Sequence, residues 1–132
     1  MDQPEIIQLM TAKHLFEGAS PEELGSLVDH GEVLAVPDGE LLIEQGKIGE
    51  AVWILLDGVV TIFVDGAESH QLDTPGTILG EISAVSRIAS TASVKATGEV
   101  SALRISHESL HLALSSSQKL AESVLRSMTK YL

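Results

Sequence analysis

The chain contains no cysteine, which excludes a disulfide framework, a thiolate metal site and a thiol nucleophile. Aromatic residues are almost as scarce, with one tryptophan, one tyrosine and two phenylalanines in 132 residues. The tryptophan, Trp53, lies inside an apolar run and reads as a core residue. Basic residues are few as well: 8 Lys and Arg stand against 19 Asp and Glu, a formal charge of −11, and the 8 are scattered. Nucleic acid binding rests on neutralised phosphates, so nucleic acid is not an expected partner. The same field opposes small anions, and a phosphate site would need strong local donors. No run of roughly 18 apolar residues occurs, and Met1-Asp2-Gln3-Pro4-Glu5 carries no basic segment or apolar stretch. The expectation is a cytoplasmic chain that neither spans nor binds a membrane.

Hydrophobic residues make up 44% of the chain and charged residues 20%, enough to build a core of ordinary globular kind. The length fits one domain over residues 1–132. Residues 4–30 read as helical, with Ile6, Ile7, Met10 and Leu15 near helical spacing. Ser20-Pro21-Glu22-Glu23 is a helix start, with a capping hydroxyl, proline at the first helical position and acids in the first turn. Leu24, Leu27 and Val28 form its buried stripe, and Gly31 ends it.

From residue 31 to 105 short apolar runs alternate with turns at Pro37-Asp38-Gly39, Gln45-Gly46, Asp57-Gly58, Asp65-Gly66 and Thr74-Pro75-Gly76. This texture predicts many short antiparallel strands in a barrel or sandwich. The clearest strands are Ala51–Leu56 and Val59–Val64, joined at Asp57-Gly58, with Asp65-Gly66 opening the next hairpin. Helical pattern returns over 107–132, with Ser106 as a cap before His107–Leu114 and a last helix over Gln118–Leu132. One face of that helix carries Leu120, Val124, Leu125 and Met128. Such a stripe serves equally as packing against the chain's own sheet or as an interface with a second copy or a protein partner.

Catalytic machinery is not apparent. No Gly-x-Ser-x-Gly elbow is present, and carboxylate pairs are expected on the solvated faces of so acidic a chain. His107 and His111 stand at i and i+4, but Glu108 between them does not make the zinc-protease pattern, and no third ligand is evident. No catalytic residue, metal or cofactor is assigned.

Gly39-Glu40, Glu44-Gln45-Gly46, Gly49-Glu50, Trp53-Ile54-Leu55-Leu56-Asp57-Gly58-Val59-Val60, Pro75-Gly76 and Gly80-Glu81-Ile82 follow one another in a recognisable order. This series resembles cyclic-nucleotide-binding domains, as found in catabolite-activator-type regulators, protein kinase A regulatory subunits and gated channels. The likeness runs from about His14 to the C-terminus. It implies a mainly β fold with flanking helices: an eight-stranded β-roll of jelly-roll type between N-terminal and C-terminal helices, with a short phosphate-site helix at 81–85. It also implies a non-catalytic regulatory or sensor module whose ligand class is cAMP or cGMP.

In that pattern Gly80, Glu81 and Ile82 supply backbone donors to the cyclic phosphate, since glycine admits close approach and helix-opening N–H groups favour an anion. Glu81 matches the glutamate that accepts from the ribose 2′-hydroxyl; as an early acidic residue it can also simply favour the helix N-terminus. The arginine that the family places about nine positions later is replaced by Ser90. Ser90, Thr91 and Ser93 keep hydroxyl donors but no charge. Arg87, three positions early, is either a substitute cation or a solvated loop charge. Losing one member of a buried charged pair costs about 2–5 kcal/mol, roughly thirty- to several-thousand-fold in affinity. The resemblance therefore implies a weak or non-standard ligand, or an interaction module that has lost its ligand.

Overall fold

The structure, a computed structural model, describes residues 2–11 and 20–128, apart from the side chains of residues 11, 81, 82, 85, 123 and 126–128. Leu15 and Leu132 lie outside the described residues.

Two short helices come first, α1 (Gln3–Thr11) and α2 (Pro21–Asp29), where the sequence pattern suggests helix over 4–30. Ser20 and Glu23 form a reciprocal capping box at the start of α2, and Leu24, Leu27 and Val28 are its buried face. Six strands follow among the described residues: β1 (Glu32–Val36), β2 (Leu41–Ile43), β3 (Ala51–Val64), β4 (Ala67–Leu72), β5 (Ile78–Leu79) and β6 (Ser93–Ser106). A six-residue helix, α3 (Glu81–Ser86), interrupts them between β5 and β6. The chain closes with α4 (His107–Ser116), capped by Ser106, and α5 (Gln118–Met128).

The expected count of eight strands is corrected to six because β3 and β6 each run 14 residues and serve both ends of the roll. Their N- and C-terminal halves pair antiparallel from Ala51↔Ser106 to Phe63↔Ser93, and the pairing shifts register on both sides of Asp57. Asp57-Gly58 is therefore not a hairpin turn but a bulge inside one strand. Gly58 has φ +105, and a Cβ there would stand 2.8 Å from the Glu99 carbonyl oxygen, so close strand contact demands glycine. Asp65-Gly66, by contrast, is the hairpin its sequence predicts, with φ of 52 and 82. One end of the sheet holds β1 and β5 on β6 and β3; the other holds β2 and β4.

The alternation of β3 divides two cores. Val52, Ile54 and Leu56 join Leu103 and Ile105 against the helices, where Ile6, Leu24, Leu110 and Leu120 meet them. Leu55, Val60 and Ile62 face the roll interior with Ile43, Leu79 and Val94. Burial on both faces explains why residues 51–56 read as an unbroken apolar run. No helix among the described residues is long and apolar enough to cross a membrane.

Candidate functional site

Helix α3 is held by hydrogen bonds from two directions. It begins at Gly80 in the left-handed region (φ 77), where a Cβ would come within 2.8 Å of Ile43 Cδ1. No side chain caps this start, so Gly80 brings the helix against the roll without occupying the N-terminal amides. In the middle of the helix, buried Ser83 accepts from the Gly49 N–H at 2.6 Å and donates to the Ile88 carbonyl. At its end Arg87 takes a left-handed conformation and donates from Nη1 to the Gly49 carbonyl at 2.8 Å. On the other side, His107 Nδ1 lies 2.7 Å from the Ala84 carbonyl, and the His107 N–H donates to the Glu50 carbonyl. Helix α3, the 44–50 loop and the first residue of α4 are thereby one bonded unit.

The segment after α3 is fixed by the same loop. Ser90 N–H donates to the Lys47 carbonyl at 2.9 Å, and the Ser90 carbonyl accepts from Gly46 N–H at 2.8 Å. With its backbone clamped, Ser90 keeps its Oγ buried and without a hydrogen-bond partner. Ser93 Oγ is already engaged by the Gln45 N–H. Thr91 is exposed.

Ser90 is one of the residues lining a cleft of about 380 Å³. Leu42, Ile43 and Trp53 provide its apolar wall, and Lys47 and Arg104 its cations, with Glu44 and Glu50 also in the lining. Lys47 is paired with Glu44 at 2.6 Å, a contact that holds the ammonium above its ordinary value of 10.5. Arg104 instead lies over the Trp53 ring, 5.9 Å from its centroid. Trp53 is only partly buried against the inner core, so it is a wall of this cleft as well as a packing residue.

Of the candidate ligand-binding residues Gly80, Glu81, Ile82, Arg87, Ser90, Thr91 and Ser93, Ser90 alone is among the lining residues of this cleft. Gly80 contacts Ile43, which does line it, while the side chains of Glu81 and Ile82 lie outside the described residues. Arg87 is exposed and turned to Gly49. Of the four proposed interface residues, Leu120 and Val124 are buried in the chain's own core at 1% exposure each. Leu125 is 61% exposed, and the Met128 side chain lies outside the described residues. His107 and His111 stack at 6.3 Å, and no group of three metal-ligating side chains occurs among the described residues.

Sequence reasoning missed Arg104. Its signal was a lone charge between Leu103 and Ile105 in a buried strand, opposite Trp53 in the β3–β6 register.

A family model described as the cyclic nucleotide-binding domain matches residues 33–117, from β1 to the end of α4. The chain belongs to the cyclic nucleotide-binding domain family. A cyclic nucleotide-gated potassium channel from Rhizobium etli is 27% identical over 118 residues, covering 89% of this chain and 32% of the channel. The cyclic AMP receptor protein of Thermus thermophilus is 29% identical over 109 residues, covering 80% of this chain and 50% of that protein. The chain thus spans about a third to a half of these relatives. The sensor domain of the transcriptional regulator DNR from Pseudomonas aeruginosa shares the fold at a TM-score of 0.76 and 23% identity, over 98% of this chain and 90% of that one.

Proposed function

We propose that this domain is a non-catalytic, cytoplasmic regulatory module that binds cAMP and cGMP weakly and senses through the conformation of its C-terminal helices. The observation that carries the reading is Ser90. Its backbone is clamped between Gly46 and Lys47, its Oγ is buried without a partner, and it brings no charge to where the family pattern has an arginine. The nearest sequence candidate for a replacement, Arg87, is committed to the Gly49 carbonyl. Cyclic nucleotides are the ligand class suggested by the names of the relatives.

The route to the helices is His107, which opens α4 and bonds at once to α3 through Ala84 and to the 44–50 loop through Glu50. A ligand that preferred one placement of α3 would bias residues 107–132 by its difference in affinity for the two states. Self-association or capture of a protein partner is the second reading, favoured by exposed Leu112 (58%) and Leu125 on the last two helices.

Thermal unfolding with a panel of cyclic mononucleotides and dinucleotides tests the first reading. A native-state ligand at a hundred times its dissociation constant adds about 2.7 kcal/mol, which is easily read. A cAMP or cGMP shift that saturates in the low micromolar range overturns weak binding. A panel flat at every concentration favours the interaction module.

A further inference from the structure

Arg104 is a half-buried guanidinium that, among the described residues, makes no ion pair; its recorded neighbour is the face of Trp53. Arg87 and Lys95 likewise make no ion pair among the described residues, but neither lines the cleft. The other cation in the cleft, Lys47, is matched by Glu44. What remains facing the cleft is one positive charge on an aromatic plate and the apolar wall of Leu42 and Ile43, with Ser90 and exposed Glu50 also in the lining.

We infer that this cleft is a binding site for a small organic monocarboxylate with an apolar body, held by Arg104. The guanidinium presents a planar fork that a carboxylate meets with two parallel bonds. A single carboxylate matches the single unpaired cation, whereas a more highly charged anion would add repulsion from Glu50 and from the Glu44 oxygen left uncovered by Lys47. The volume, about 380 Å³, is at the small end of the roughly 300–1,000 Å³ of small-molecule sites. This inference rests on the reading of the domain as a ligand sensor and names the chemistry of a ligand other than a cyclic nucleotide.

Trp53, the only tryptophan of the chain, forms a wall of the cleft and reports directly on its occupancy. Cyclohexanecarboxylate and its neutral counterpart cyclohexylmethanol are suitable probes, because neither absorbs where tryptophan is excited. The carboxylate is expected to change Trp53 emission saturably, with the alcohol at least about tenfold weaker, since only the acid pairs with the half-buried cation. Arg104→Gln should weaken the acid at least about tenfold and leave the alcohol unchanged, while Arg104→Lys should retain part of the preference. Equal titration by acid and alcohol, or no saturable change up to about 1 mM, overturns the site. The wild-type comparison needs no variant, so it decides the matter even where Arg104→Gln fails to fold. Cyclic-nucleotide binding is measured separately by thermal shift, so a failed carboxylate titration and a failed weak-nucleotide reading are distinct results.

Discussion

The Glu23 carboxylate accepts a hydrogen bond from the Ser117 hydroxyl, 94 positions further along the chain. The other Glu23 oxygen accepts from Ser20 N–H to complete the capping box of α2, and Ser117 Oγ in turn accepts from Leu120 N–H at the start of α5. One carboxylate thus ties the N-terminal helices to the junction between α4 and α5, the part of the chain proposed to carry the signal.

These bonds, first that from Ser117 and then that from the Ser20 backbone, hold the Glu23 carboxyl below its ordinary value of 4.5. A depressed folded-state value means stability that is complete above about pH 4.5 and fades as the pH falls through the lower folded value. Glu23→Gln, which keeps a capping oxygen but no charge, should flatten this acid dependence of the melting temperature. Ser117→Ala should flatten it too and cost about 1 kcal/mol at neutral pH through loss of the Leu120 cap. An unchanged acid slope in both variants would show that the contact does not form in solution.

Gly58 and Gly66 make a controlled comparison of two glycines with positive φ. At Gly58 an added Cβ meets the Glu99 carbonyl oxygen at 2.8 Å and Val100 Cα at 3.1 Å, whereas at Gly66 it meets nothing within 4 Å. Gly66→Ala should cost only the left-handed strain, about 1–2 kcal/mol. Gly58→Ala adds a clash with backbone atoms of β6 that cannot move without disturbing the ladder, and should cost at least about 1–3 kcal/mol more. Chemical denaturation of the two variants measures the difference; equal losses would mean that the bulge relaxes freely.

The same bulge marks where sequence reasoning reached its limit. Asp-Gly at 65–66 and Asp-Gly at 57–58 are identical as dipeptides, yet only the first turns the chain. The distinction lies in the partner strand: residues 93–106 form one continuous strand along both halves of β3, a long-range pairing that no local pattern encodes. Local signals, namely the Ser20 and Ser106 caps and the stripe of α2, were legible because they depend on neighbours within four residues. The glycine order disclosed the roll. The cleft was not legible, because Trp53, Arg104 and Ser90 come from three separated segments that only the β3–β6 register and the 44–50 loop bring together.

The two adjacent residues Val124 and Leu125 separate folding from association. Val124 is 1% exposed in the helix-side core, so Val124→Asp should unfold the domain or lower its stability by several kcal/mol, not merely separate two copies. Leu125, at 61% exposure, can be changed at little cost to the fold. If α5 joins two copies, Leu125→Asp should shift sedimentation toward the monomer while leaving the melting temperature within a few degrees. A wild-type chain that sediments as a monomer at high concentration would remove the dimer reading altogether.

The most informative substitution restores the cation. If Ser90 occupies the phosphate-arginine position, wild type should bind cAMP more weakly than about 10 µM, since 1 µM corresponds to about 8 kcal/mol and the lost charged pair removes several of these. Ser90→Arg should raise the affinity at least about tenfold, because a guanidinium beside α3 offers the cyclic phosphate two parallel charged bonds. Glu81→Ala on that background should reverse much of the gain if the ribose contact implied by the family pattern is made. The competing arrangement has Arg87 leave the Gly49 carbonyl and swing toward the phosphate. In that case wild type binds cAMP tightly, Arg87→Ala abolishes binding, and Ser90→Arg helps little. Calorimetry on wild type, Ser90→Arg, Ser90→Arg/Glu81→Ala and Arg87→Ala separates the two, and tight wild-type binding lost on Arg87→Ala would displace Ser90 from the phosphate position.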